Sequence, residues 1–216
     1  MMCKPSLCGV VLAAGASSRM GTDKALLPWP PAAQSAVASG SNTLLSAAIR
    51  ALKPFTQSVI VVAGANAGRL ADIVESCCAE LVQNPAPERG QFSSLQVGLR
   101  QVLAGGCNTA IITLVDCPPL CMASLQKLNS AFEDALSAGQ WGVAPENNGK
   151  HGHPLFAGRN LIDAFLASPV TSNAREVKRA NARHIGYISV PDSLVSLDVN
   201  TPEEYKALVA TFHHSG

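Results

Sequence analysis

Apolar and polar positions along this chain change period repeatedly. Val10-Val11-Leu12-Ala13 is a short apolar run, β-branched at its start, the pattern of a buried strand. Residues 58–63, 80–83 and 109–115 read as further strands, and the last is apolar or β-branched as expected when both faces are covered. Between them the spacing is helical: from a Thr43 cap to about residue 53, over 67–78, from Ser93 or Ser94 to about 104, and over about 123–137. This alternation predicts an α/β fold with a mainly parallel sheet. The loops after Leu12, Val62, Val82 and Val115 then meet at one edge, where such sheets bind ligands. The second half is less regular. Short strands are expected at 141–144, 154–157 and 184–190, and helices at 159–167 and 174–180. Thr201 caps a last helix opened by Pro202, Glu203 and Glu204.

Candidate chemistry starts where the first strand ends. Ala13-Ala14-Gly15-Ala16-Ser17-Ser18-Arg19-Met20-Gly21-Thr22-Asp23-Lys24 is built from small residues followed by cations. Small side chains let the backbone approach a ligand, and free N–H groups in such a loop cradle anions. Arg19 suits forked phosphate contacts and Lys24 a point contact. The spacing is not that of the P-loop, since five residues separate Gly15 from Gly21 and Lys24 does not follow a glycine. The dinucleotide-binding G-x-G-x-x-G is absent as well.

The pattern L-A-A-G-x-S-x-R-M-G-x-x-K, carried by Leu12, Ala13, Ala14, Gly15, Ser17, Arg19, Met20, Gly21 and Lys24, resembles the signature loop of the MobA-like NTP transferases. The resemblance is nearest to molybdenum cofactor cytidylyltransferases, because the guanylyltransferases usually carry glycine in the Ala13-Ala14 pair. It implies a three-layer, Rossmann-like nucleotidyltransferase fold with a mainly parallel mixed sheet. It covers residues 7 to about 205 and implies one domain over 1–216, with a nucleotide half at about 7–120 and an acceptor half at about 121–216.

Four further segments carry the resemblance. Asp116 ends the strand at 109–115, where a carboxylate can hold Mg²⁺ against a triphosphate. The family usually has Asp-Met-Pro there, and Cys117 replaces the Met. Asn84-Pro85, Gly90 and Ser93-Ser94-Leu95 follow the family's N-P…G…S-S-L, which implies base-side contacts from Ser94 with Gly90 and Ser93 nearby. Gly152-His153-Pro154 resembles the cytidylyltransferase G-H-P and implies an acceptor-binding role for His153 and Gly152, at a phosphate or a pterin edge. Asp198-Val199-Asn200-Thr201-Pro202 departs from the family's D-I-D-T-P, placing an amide where an acid commonly completes the metal site. Strand alternation would turn Asp198 and Asn200 to one side.

The implied reaction moves CMP from CTP to a phosphate acceptor such as molybdopterin, releasing pyrophosphate, with Mg²⁺ held by Asp116, Asp198 and Asn200. Arg19, Lys24 and Asp116 are the expected catalytic residues, and a molybdoenzyme receiving the product is an expected partner. Alternatives are GTP, a sugar or alditol phosphate acceptor, or an idle carrier of nucleotide or molybdopterin. A net charge of +1 and only two Trp and two Tyr give no support for a nucleic-acid surface. No apolar run reaches the length of a membrane span. Lys4 and the apolar run behind it superficially resemble a signal peptide, but cleavage near Ala14 would destroy the loop. Seven cysteines without C-x-x-C read as reduced thiols in a cytoplasmic protein, mostly core filler and not metal ligands. Residues 30–42 read as a mobile insertion.

Overall fold

The computed structural model describes residues 6–15, 20–30 and 42–213. Four parallel strands form its centre: β1 (Leu7–Ala13) pairs with both β2 (Ser58–Ala63) and β4 (Thr109–Leu114), and β2 pairs with β3 (Glu80–Gln83). Beyond β4 the sheet turns mixed. β7 (Leu155–Ala157) runs antiparallel to β4 and β5 (Gly142–Asn147), which also takes β6 (Lys150–His151) antiparallel and β8 (Ile185–Ser189) parallel. The strand order is β3-β2-β1-β4-β7-β5-β6, with β8 on β5.

Seven helices complete the described residues: α1 (Leu44–Leu52), α2 (Ala67–Ser76), α3 (Gln91–Ala104), α4 (Met122–Ser137), α5 (Arg159–Ala167), α6 (Ala174–Ala180) and α7 (Pro202–His213). Alternate residues of β1 enter opposite cores, as the two-residue period of a strand requires. Val11 and Ala13 face Leu45, Ile49, Leu70 and Phe132 of α1, α2 and α4. Val10 and Leu12 face Leu95, Leu99, Leu161 and Phe165 of α3 and α5. Helices therefore cover both faces, giving the expected three layers. A small third cluster joins Met20, Trp29, Leu44, Val199 and Leu208, tying the loop after β1 to the segment before α7. Among the described residues no helix is long and apolar enough to cross a membrane.

Local signals set several boundaries. Thr43 and Ser46 form a reciprocal capping box that starts α1. Thr201 Oγ1 accepts from the Glu204 N–H at the start of α7. The start of α3 differs from the expectation. It begins at Gln91, so Ser93 and Ser94 lie within its first turn and do not cap it. The preceding Gly90 adopts φ 89°, a left-handed turn that a side chain would resist, and this turns the chain into the helix early. Residues 31–41, most of the expected insertion, lie outside the described residues, but its two ends meet. The Trp29 N–H donates to the Asn42 carbonyl at 3.0 Å.

One expectation is overturned. Cys8 in β1 and Cys107, two residues before β4, form a disulfide at the adjoining starts of these two strands, across a sequence separation of 99. The cysteines are not all reduced thiols, so the argument for a cytoplasmic protein from free thiols is lost. Cys77, Cys78, Cys117 and Cys121 are free. Peptide mapping without reductant should recover a linked Cys8–Cys107 pair. The Cys8→Ala/Cys107→Ala variant should lose about 2–5 kcal/mol in denaturant melts, and an unchanged midpoint would deny the bond a stabilising role.

Candidate functional site

A cleft of about 790 Å³ opens over the carboxyl ends of β1, β2 and β3. Leu12, Ala14 and Gly15 line it, with Asn66 beyond β2 and Gly90 and Ser94 at the start of α3. These come from three of the four loops predicted to share one edge; Cys117 of the fourth, after Val115, lines a second cleft. The expected Ser17 and Arg19 lie outside the described residues. Ala13 is buried in β1, and its carbonyl accepts from Asn66 Nδ2 at 3.0 Å. The two serines part company. Both hydroxyls accept from Asn84 Nδ2 at 2.9 Å, but Ser93 turns back to donate to the Gly90 carbonyl at 2.7 Å, whereas Ser94 reaches the cleft wall. Ser93 therefore shapes the Gly90 turn, and it is not among the residues lining this cleft.

Asn66 organises the loop after β1. Besides Ala13, its Nδ2 donates to Asp23 Oδ2 at 2.8 Å, and its Oδ1 accepts from the Gly64 N–H at 3.0 Å. Asp23 is buried, and its other oxygen accepts from the Ala25 N–H at 3.1 Å, capping the short 3₁₀ turn Lys24–Leu26. A buried carboxylate needs such partners. Together they set where Lys24 leaves the backbone.

Lys24 Nζ then bridges two distant parts of the chain. It donates to Asp116 Oδ2 at 3.1 Å and to Asn200 Oδ1 at 2.8 Å. Asn200 Nδ2 lies 3.5 Å from Asp198 Oδ2. Asp116, Asp198 and Asn200 are thus brought together, but not by strand alternation, because residues 197–200 are irregular. The buried Val199 does it: its N–H donates to the Asp116 carbonyl at 2.8 Å, while its side chain enters the small third core. Burial, and next the negative charge of Asp116, push the Asp198 carboxyl up. Oxygen donors that repel one another suit a hard divalent cation, which would relieve the repulsion. Among the described residues no three His, Cys, Asp or Glu side chains converge as a metal set, so such an ion would depend on the Asn200 amide. Cys117 is buried beside this group, and its thiol is pushed far up by burial and by Asp116 and Asp198, which keeps it protonated and inert.

A second cleft, of about 770 Å³, shares Leu12, Gly90 and Gln91 with the first. His153, Asp198, Arg175 and Lys178 line it. His153 Nδ1 lies 3.5 Å from the Ile112 carbonyl, so Nδ1 is assigned the proton and Nε2 is left as an acceptor. Burial, followed by the charge of Lys178, lowers its pKa to about 4. A neutral acceptor suits an N–H-bearing ring edge better than a phosphate. Gly152 also lines the cleft, but its bareness is structural: a Cβ there would clash with the Val195 carbonyl oxygen. Lys178 is lowered by burial and by Arg175, and neither side chain has a hydrogen bond or ion pair among the described residues.

Sequence reasoning missed Asn66, Arg175 and Lys178. Asn66 follows a strand at the ligand edge and precedes a helix, which is a usable signal. Arg175 and Lys178 are three apart on a predicted helix and so share a face.

The MobA-like NTP transferase domain matches residues 9–185, and the chain belongs to that family. It is 23% identical over 197 residues to the molybdenum cofactor cytidylyltransferase of Escherichia coli strain K12, covering 91% of this chain and 92% of the relative. It is 30% identical over 131 residues to a probable molybdenum cofactor guanylyltransferase of Rhodopirellula baltica, covering 61% and 58%. Among solved structures, Rv0371c of Mycobacterium tuberculosis H37Rv superposes with a TM-score of 0.75 at 24% identity, covering 97% of this chain and 100% of that one. A manganese complex of Rv0371c gives 0.69 at 21% identity, covering 95% and 99%. The sheet and its helical layers are thus shared with these structures.

The lowered pKa of His153 has a signed consequence. An unfolded histidine takes a proton below about 6.5, while the folded one stays neutral to about 4. The contribution of His153 is therefore intact above the unfolded value and is lost as pH falls towards 4, by up to about 3 kcal/mol. Urea midpoints measured across that window should fall with acid in wild type. They should fall less steeply in His153→Gln.

Proposed function

We propose that this protein is a metal-dependent cytidylyltransferase that joins CMP to the phosphate of molybdopterin. The observation that carries the reading is the pair of clefts with a common wall at Leu12, Gly90 and Gln91, beside the Asp116–Asp198–Asn200 group. One cleft is lined by the phosphate-type loop and the other by Arg175 and Lys178, which have no ion pair among the described residues, so two anionic substrates can meet there. In this reading one domain carries both, with nucleotide contacts before about residue 120 and acceptor contacts after it.

An acceptor phosphate oxygen attacks the α-phosphorus of the nucleotide. The new P–O bond forms as the bond to the β-phosphate breaks, and pyrophosphate leaves with that electron pair. A phosphate monoester is largely ionised near neutral pH, so no protein base is required. The chain positions both partners and stabilises charge. Gly15 and the neighbouring backbone receive the triphosphate, with Arg19, Ser17 and Lys24 completing that contact, while Ser94 and Gly90 bound the base side. Asp116, Asp198 and Asn200 would hold a divalent cation, Mg²⁺ by expectation, which supplies neutralising charge on the phosphates. The manganese complex of Rv0371c supports a divalent ion at this fold. Arg175 and Lys178 hold the acceptor's anionic group, and His153 faces its ring edge. Ala14 on the cleft wall favours CTP. The guanylyltransferase relative favours GTP as the second reading.

Thermal shift with Mg²⁺ across CTP, GTP, UTP and ATP separates these readings. A nucleotide at a hundred times its dissociation constant should add about 2.7 kcal/mol of stability. Selective stabilisation by CTP supports the proposal, selectivity for GTP moves it to the second reading, and no response overturns both. In assays of pyrophosphate release with molybdopterin, Asp116→Ala should lose roughly a hundred- to a thousandfold in kcat. Arg175→Ala and Lys178→Ala should instead raise the acceptor KM by roughly ten- to a hundredfold, leaving the nucleotide KM in place. Equal effects on both KM values would remove these cations from the acceptor site.

A further inference from the structure

We propose that Lys24 competes with the divalent cation for the oxygens of Asp116 and Asn200, so that metal enters only as Lys24 passes to the nucleotide's phosphates. The inference rests on the nucleotidyltransferase reading and concerns the order in which that site is filled. Asp116 Oδ2 and Asn200 Oδ1 both accept from the same ammonium, at 3.1 and 2.8 Å. These atoms are the oxygens a hard cation would need, and one set of lone pairs cannot serve both in full. The Lys24 side chain is only 11% exposed, so its ammonium has lost most of its water. Moving it away from Asp116 with no anion in exchange would give up a close, largely desolvated ion pair, which is costly.

A triphosphate changes that balance. Lys24 follows directly on the phosphate-type loop, and its flexible four-carbon stem lets it turn from the carboxylate to a phosphate without moving the backbone. The cation then meets Asp116, Asp198 and Asn200 without a competing ammonium. Two carboxylates and an amide oxygen, freed of the ammonium, would suit a hard divalent cation. Each ligand therefore favours the other, and by linkage the coupling is the same in both directions. The arrangement also prevents free divalent ions from settling in the site before the nucleotide arrives.

Mn²⁺ alone is the probe, its free concentration read by electron paramagnetic resonance without nucleotide or turnover. Lys24→Met should bind Mn²⁺ roughly tenfold more tightly than wild type or better. Lys24→Gln, a second neutral variant, should show the same gain, and Lys24→Arg should stay near wild type. The gain should vanish in Lys24→Met/Asp116→Asn. Circular dichroism confirms that each variant is folded. Neutral variants that bind Mn²⁺ no better than wild type would overturn the proposal, as would a gain that survives loss of the Asp116 charge. Should wild type bind neither CTP nor GTP, the nucleotide reading fails by itself, and the Mn²⁺ comparison still decides whether Lys24 and the metal compete.

Discussion

Parallel pairing of β1 with both β2 and β4 is the constraint on which the molecule depends. It sends the ends of four strands to one edge, so Gly15, Asn66, Gly90 and Asp116 arrive together from distant parts of the chain. Parallel strands need helices as connections, and those helices cover both faces and dry the core. The opposite ends of β1 and β4 carry a different load. Cys8 and Cys107 join them there, far along β1 from the phosphate-type loop. A cross-link acts mainly on the freedom of the unfolded chain. Stability is thus reinforced at one edge of the sheet while the other is left for chemistry.

Most of the framework was legible because it is written in local patterns. The strand at Ser58–Ala63 and the helices Arg159–Ala167 and Ala174–Ala180 match their expected bounds, since apolar period and capping residues are properties of short windows. The start of α3 was misread because a serine looks like a cap, whereas the turn is made by the positive φ of Gly90. That shift of two or three residues decides which serine faces the cleft. The Cys8–Cys107 pair was illegible for another reason: residues 99 apart become neighbours only when β1 and β4 are known to be adjacent. Asp198 and Asn200 were expected to share a side, and they do lie together. The cause is the anchoring of Val199 on Asp116 and in the core, a tertiary effect that no strand period contains.

The two clefts handle charge differently, and the difference bears on function. In the second cleft Arg175 and Lys178 repel each other with no ion pair to either among the described residues, and His153 nearby is kept neutral. Like charges held together in a partly buried cleft cost stability that an anion would restore. Near Asp116 the site is already balanced in part, because Lys24 neutralises one of two carboxylates. A cation pair left unpaired is ready for an anion at any time, whereas a paired ammonium must be given a new partner before a metal can replace it. Under the proposed function, the second cleft would therefore be open to its ligand from the start, and the metal group would be conditional on the nucleotide. The shared wall at Leu12, Gly90 and Gln91 places these two behaviours side by side, so that in the proposed reaction charge would gather at the reacting phosphorus only when both substrates are in place.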